Sequence, residues 1–355
     1  MQAMMVGLLL IVLPLAGAWI NGNSLARYTE FPPVTQYTRH APFSWFVFLV
    51  MGLLVLLVIA PFDVRVLLTR LQQGKKLSEL NKHPMPWWGW GGLALTMGVW
   101  FIAWTRLEVF APFQLFTFSP LWLGYILFAN ALTYRRSGHS LLTDNPLYLL
   151  KLFVASAVFW WFFEYLNRFV QNWYYVGLDG ISPLKYFLFA TLPFATVIPA
   201  VISTHDLLAT YPAAGAGLEN FVRINVRFPR TIAVVALMVS AAGLLSIAIV
   251  PNLLYPVLWL APLFIITSLQ VLFGGKTLFA PVRHGHWRRI YLAACAALIC
   301  GFFWEMWNYQ SVAKWIYTVP YVTRFKLFEM PVLGFAGYIP FGLECVVIAD
   351  WIKRG

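Results

Sequence analysis

Charge is scarce in this 355-residue chain: only 11% of its residues are Asp, Glu, Lys or Arg, against about 25% in soluble globular domains. A soluble surface cannot be built from so few, while 61% of the residues are hydrophobic and the mean hydropathy is +0.72. Cysteine is also rare. Cys295, Cys300 and Cys345 lie inside apolar segments without CxxC spacing, which argues against a disulfide framework and a cysteine-based zinc site. HExxH, GxSxG and Gly-rich phosphate loops are absent, so zincin, α/β-hydrolase and P-loop or dinucleotide-binding chemistry is not indicated. The six histidines, His40, His83, His139, His205, His284 and His286, lie in or beside loops, and none shares metal-ligand helical spacing with a Glu. No metal and no cofactor is expected.

What is present is a series of apolar stretches of about 20 residues, the length a helix needs to cross roughly 30 Å of hydrocarbon. They are long and apolar on all sides rather than alternating, which points to membrane helices and not to a β-barrel. Ten spans are predicted, near 3–20, 43–62, 90–110, 117–134, 148–168, 184–204, 231–250, 253–273, 289–309 and 327–349. The first is an anchor or a cleaved signal peptide, its "LAGA" offering small residues. Assigning loops alternately puts 17 of the 25 Lys and Arg on one side, among them Arg65, Arg70, Lys75, Lys76, Lys82, Arg135, Arg136 and Arg283. By the positive-inside rule that side is cytoplasmic, and an even number of spans puts both termini there. The same scatter among loops accounts for the net charge of +12 without nucleic acid. Residues 63–85 read as an interfacial helix or a solvated linker, followed by a belt of indoles in "PWWGWGG".

An internal repeat carries the rest of the information. Residues 185–199, "KYFLFATLPFATVIP", match 326–340, "KLFEMPVLGFAGYIP", at an offset of 141 with seven of fifteen positions identical. At the same offset Glu164 and Asn167 of "WFFEYLN" match Glu305 and Asn308 of "FFWEMWN"; after one inserted residue Trp173 and Tyr175 match Trp315 and Tyr317. More faintly, Pro120 and Trp122 match Pro256 and Trp259. The fold expected is therefore all-α and polytopic. It comprises a two-helix N-terminal segment with its linker (1–85) and two four-helix repeats (86–210 and 211–355), related in parallel by an axis along the membrane normal.

A carboxylate within a span costs about 3 kcal/mol on insertion scales, so intramembrane Glu residues are functional candidates. Glu164 and Glu305 each carry an Asn at i+3, which puts acid and amide on one helix face where the amide can hold the acid. The alternative is that acid and amide tie the helix to its neighbours. Glu329 and Glu344 are read near the outer and inner ends of the last span. Leu188 stands where the second copy has Glu329, an asymmetry that favours a role for Glu329, while Glu344 reads as an interfacial or packing carboxylate. Arg106 with Glu108 forms either an exposed pair or part of the same cavity, and Lys185 and Lys326 snorkel or meet anionic headgroups. Aromatic residues make up 18% of the chain and crowd around the acids. Facing inward, they would form an apolar pocket whose ring faces attract a cation. A desolvated carboxyl inside it suits the protonation of an olefin, and the same ingredients suit a proton-coupled transporter.

Glu305, Trp315, Tyr317 and the "FEMP" of Glu329 and Pro331 resemble the small membrane lycopene-cyclase domains, which also occur as tandem helical repeats. That resemblance covers residues 300–345 and, more faintly, 160–205. It implies cyclisation of a carotenoid by acid-initiated carbocation chemistry without net redox change, with Glu305 and Glu329 as acid and cation-stabilising groups. Those domains place paired acids after the Pro, whereas one Glu precedes Pro331 here. The "WExxN…KWxYTVP…FEMP" pattern is also similar to that of uncharacterised bacterial multi-span proteins, which implies a bacterial inner-membrane location. The expectation is an integral membrane enzyme acting on a polyisoprenoid or other lipid, a cyclase or isomerase. Its candidate catalytic residues are Glu164, Asn167, Glu305, Asn308 and Glu329, and Trp173, Tyr175, Trp315, Tyr317 and Arg106 would bind a lipid or hydrophobic small molecule. A transporter or channel-like protein with a central carboxylate site, or a structural subunit of a membrane complex, are the alternatives.

Overall fold

The computed structural model describes residues 2–73, 83–178 and 180–354. Its main helices are α1 (Gln2–Ile20), α2 (Trp45–Gln73), α3 (Trp87–Trp104), α4 (Phe118–Ser137), α5 (Pro146–Val170), α6 (Pro183–Ala195), α7 (Val197–Ala209), α8 (Pro229–Ser246), α9 (Val257–Leu272), α10 (Arg288–Tyr309) and α11 (Tyr338–Arg354). Four short strands complete the frame: β1 (Trp173–Val176), β2 (Lys314–Tyr317), β3 (Lys326–Leu327) and β4 (Met330–Pro331). Pro146, Pro183 and Pro229 stand at helix starts, where the missing N–H would be unpaired in any case.

The helical membrane architecture expected from composition is present, and the ten spans are not all matched. Among the described residues six helices are long and apolar enough to cross a membrane, or seven if one bent pair counts as a span. That pair is the expected third span: α3 ends at Trp104 and the chain turns by 117° into Glu108–Gln114. Helix α4 has the length but is diluted by Asn130, Thr133, Arg135 and Arg136. The apolar parts Met4–Ile20 and Val257–Leu272 are short for the hydrocarbon thickness. The last span begins later than expected. Residues 326–331 form the β3–β4 hairpin, a 3₁₀ segment Val332–Gly337 follows, and α11 opens only at Tyr338, so Glu329 sits in a hairpin turn and not on the span. Residues 63–73 continue α2 rather than forming a separate interfacial helix. Lys75, Lys76 and Lys82 lie outside the described residues.

Close helix crossings are made by small residues, which let backbones approach where lipid offers no hydrophobic drive. A Cβ on Gly342 would come within 2.2 Å of the Ala293 carbonyl oxygen of α10, and one on Gly92 within 2.9 Å of Gly124 O on α4. Helix α1 docks on α8 in the same way, Gly17 lying against Leu245. At the centre α5, α7, α10 and α11 enclose Phe163, Ile198, Val201, Ala297, Cys300 and Phe341, all fully buried. The α6–α7 break at Thr196 falls between Pro193 and Pro199, and Ser156 of α5 repairs it. Its hydroxyl donates to Phe194 O (2.6 Å) and accepts from Ile198 N (2.9 Å). Helix α2 stands apart. It is tied at its N-terminal end by Ser44 N to Tyr321 O (3.0 Å) and at its C-terminal end by Arg70 to Ala213 O (2.7 Å) and Arg65 to Gly217 O (3.1 Å).

Candidate functional site

The two matched W-x-Y elements meet. Strands β1 and β2 pair antiparallel with Trp173 opposite Tyr317, Tyr174 opposite Ile316 and Tyr175 opposite Trp315. Side chains alternate along a strand, so Trp173, Tyr175, Trp315 and Tyr317 share one face of this ribbon. Each copy's asparagine fastens the ribbon to the helix before it. Asn308 Nδ2 donates to Trp315 O (2.8 Å) while Trp315 N donates to Asn308 Oδ1 (2.9 Å). Asn167 makes the same pair of bonds with Trp173, at 2.8 and 3.4 Å. The amides were expected to hold the acids; instead they replace the pairing partner that Trp173 and Trp315 lack on that edge, a requirement for backbone away from water.

The acids are held by phenols and indoles. Glu164 Oε1 accepts from Trp160 Nε1 (3.1 Å), Trp173 Nε1 (3.1 Å) and Tyr175 Oη (2.6 Å). Glu305 Oε1 accepts from Tyr317 Oη (2.8 Å) and Tyr338 Oη (2.6 Å), and Trp315 Nε1 donates to Tyr317 Oη (2.9 Å). Both acids are buried, and among the described residues neither makes a salt bridge. The two differ in a further respect: among the described residues Glu305 Oε2 is buried without a hydrogen-bond partner. Burial, and after it the adjacent carboxylates, hold the Tyr175 and Tyr317 phenols well above their ordinary pKa, so both remain donors throughout the physiological range.

The donors to both acids line one aromatic cavity of about 140 Å³. Trp160, Trp173 and Tyr175 come from the first copy and Trp315, Tyr317 and Tyr338 from the second, with Trp259, Trp304, Phe118 and Phe194 completing the wall. Glu164 also borders a small polar outer pocket of about 30 Å³, shared with Arg27, Glu30 and Arg168. That volume is enough to hold water.

The remaining candidates do not line the aromatic cavity. Glu329 pairs with Lys314 of β2 (2.6 Å), and Arg106 donates to Ala103 O (3.1 Å) and to Gln310 O, tying helix ends together and making no ion pair with Glu108. Glu344 is fully buried, not interfacial, and accepts from Leu263 N (3.1 Å) of α9. Lys185 and Lys326 are exposed. His139 and His205 each bond a neighbouring Asp, and among the described residues no three His, Cys, Asp or Glu come together as metal ligands.

Trp160, Trp259, Trp304 and Tyr338 are wall residues that were not singled out as candidates; Trp259 stood in the faint Pro–Trp match, and Trp160 and Tyr338 stand where the two copies differ. At the offset of 141, Trp160 matches Gly301 and Val197 matches Tyr338. In the first copy an indole from the acid's own helix reaches Glu164. In the second a glycine vacates that place, a Cβ there would meet the Tyr338 ring at 2.4 Å, and the phenol from the next helix reaches Glu305. Comparison with protein families, curated proteins and solved structures finds no match for this chain.

Proposed function

We propose that this chain is a multi-pass membrane enzyme that acts on a polyisoprenoid or other lipid by carboxylate acid/base chemistry without net redox change, of the cyclase or isomerase type. The observation that carries the reading is the aromatic cavity whose phenols and indoles hold two buried acids, one from each copy. In this reading Glu305 gives its proton to one carbon of a substrate double bond. The π pair forms the new C–H bond and leaves a carbocation on the neighbouring carbon. Ring faces of Trp160, Trp173, Trp259 and Trp304 stabilise that cation, by about 2 kcal/mol or more per desolvated contact. Glu164 removes a proton from the rearranged cation and restores a double bond, the small pocket beside it passes that proton to water, and Glu305 takes a proton back from water before the next turnover. The fully packed layer of Phe163, Ile198, Ala297, Cys300 and Phe341 favours a closed pocket over a path through the protein.

The test is a comparison of lipid extracts from cells with and without the gene. Loss of an isoprenoid together with accumulation of its unrearranged isomer is expected. An unchanged lipid profile, combined with proton-driven uptake of a solute into proteoliposomes, would replace this reading by the transporter.

Ten crossings, two parallel repeats and a bacterial inner-membrane location with both termini cytoplasmic belong to the same proposal. Support for the repeat comes from the ribbon, because antiparallel pairing of two equivalent strands is the arrangement a local two-fold axis perpendicular to the ribbon produces. Reporter fusions after residue 80, within 135–146 and after 220 are expected to report cytoplasm, and fusions near 112 and 178 the opposite side. Reversal at two of these sites would discard the span assignment.

A further inference from the structure

A second cavity, of about 360 Å³, lies across the wall formed by Trp173, Trp259 and Tyr317, which line both spaces. Equivalent positions of the matched segments reach different cavities: Phe189 and Pro193 line the aromatic one, and Met330 and Gly334, at the offset of 141, line the second. Its outer boundary is α2, through Met51, Leu54, Val55 and Val58. These residues repeat at helical spacing along one face and extend over about 10 Å of the helix axis. Leu54 and Val58 are themselves exposed, so the space opens sideways toward lipid beside them. Its volume is within the roughly 300–1,000 Å³ of small-molecule sites.

The lining carries no charged side chain, and one polar group in it is anomalous. Asn172 is 2% exposed, and among the described residues neither its Nδ2 nor its Oδ1 has a hydrogen-bond partner. A carboxamide desolvated without partners is costly, about 1–3 kcal/mol per unmade bond, and a ligand hydroxyl in this cavity would complete the pairing. The Tyr255 hydroxyl in the same lining donates only to the Met51 sulfur (3.1 Å), a weak acceptor that an oxygen would displace. Asn172 offers both a donor and an acceptor, and an uncompensated charge would be expensive in this lining.

We infer that this cavity binds a neutral single-chain lipid ending in a hydroxyl, entering beneath α2 with its chain against Met51–Val58 and its hydroxyl on the Asn172 carboxamide. The inference does not rest on the acid/base reading, since binding here needs neither Glu164 nor Glu305.

The test uses the purified full-length chain and a twelve-carbon primary alcohol with a mid-chain diazirine, compared with the same diazirine alkane lacking the hydroxyl. Labelling of residues 45–60 and 319–334 is expected, about tenfold stronger for the alcohol. N172L should bring the alcohol down to the alkane's level while leaving alkane labelling unchanged, which also shows that the cavity persists. L54W, a change at an exposed position of α2, should fill the space and block both probes, and the phosphate ester of the alcohol should not compete. Equal labelling by the two probes in the unaltered protein, labelling elsewhere, an unchanged hydroxyl preference in N172L, or competition by the phosphate ester would each overturn the inference.

Discussion

Replacing Glu305 by Gln is expected to lower product formation about 10²–10⁴-fold, the usual contribution of a positioned acid, with the folded protein still abundant. Gln keeps the size of the side chain and a carbonyl oxygen, so Tyr317 and Tyr338 can go on donating to the atom that replaces Oε1. What it removes is the proton. Glu305 Oε2, buried and unpartnered, is the oxygen from which a proton can leave without breaking either phenol bond. Y338F is expected to be milder, costing about tenfold, since it deletes one donor and leaves the acid in place. The measurement is the ratio of product to accumulated precursor in lipid extracts, normalised to folded protein by size-exclusion chromatography. If the acid merely ties helices together, the pattern inverts: E305Q retains turnover and its loss tracks protein abundance.

The membrane class was legible from composition, because 61% hydrophobic and 11% charged residues leave no other way to solvate the chain. Elements longer than a span's apolar run were less legible. Residues 327–337 form a stretch that hydropathy reads as the start of a helix, yet the backbone makes a hairpin up to Pro331 and a 3₁₀ segment over Val332–Gly337 before α11 opens at Tyr338. Hydropathy measures transfer from water and is indifferent to whether apolar backbone is helical, and this is why Glu329 was expected on a span and instead meets Lys314.

The repeat was the stronger guide to the site. It singled out Glu164, Glu305 and both W-x-Y elements, which share one cavity wall through the donors to the acids. It did not foretell that the two W-x-Y elements pair with each other, since strand pairing between segments 141 residues apart leaves no local periodicity. Nor did the i+3 spacing of Asn167 and Asn308 say which neighbour the amide would choose: on that helix face both the carboxyl and the ribbon backbone are within reach, and the backbone has no other partner.

Exchange of bulk between two helices supplies the second large effect. G301W alone is expected to lower both the yield and the unfolding temperature of the folded protein. A Cβ at this position already meets the Tyr338 ring at 2.4 Å, on a wall shared with buried Trp304 and Phe341, and an indole requires far more room. Overpacking of this kind costs about 1–3 kcal/mol or more even for added methylenes. Combining it with Y338V restores the pairing that the first copy uses at Trp160 and Val197, so the indole at 301 can donate to Glu305 as Trp160 donates to Glu164. The double variant should therefore recover most of the folded yield, with a coupling between the two positions of about 1–3 kcal/mol, inside the range seen for residues in contact. Thermal unfolding of the purified single and double variants, followed by fluorescence-detected size exclusion, gives this coupling directly. If Y338V leaves the G301W defect unchanged, or adds its own cost to it, the two copies do not fill one common space from opposite helices, and their sequence match near the acids reflects local similarity alone.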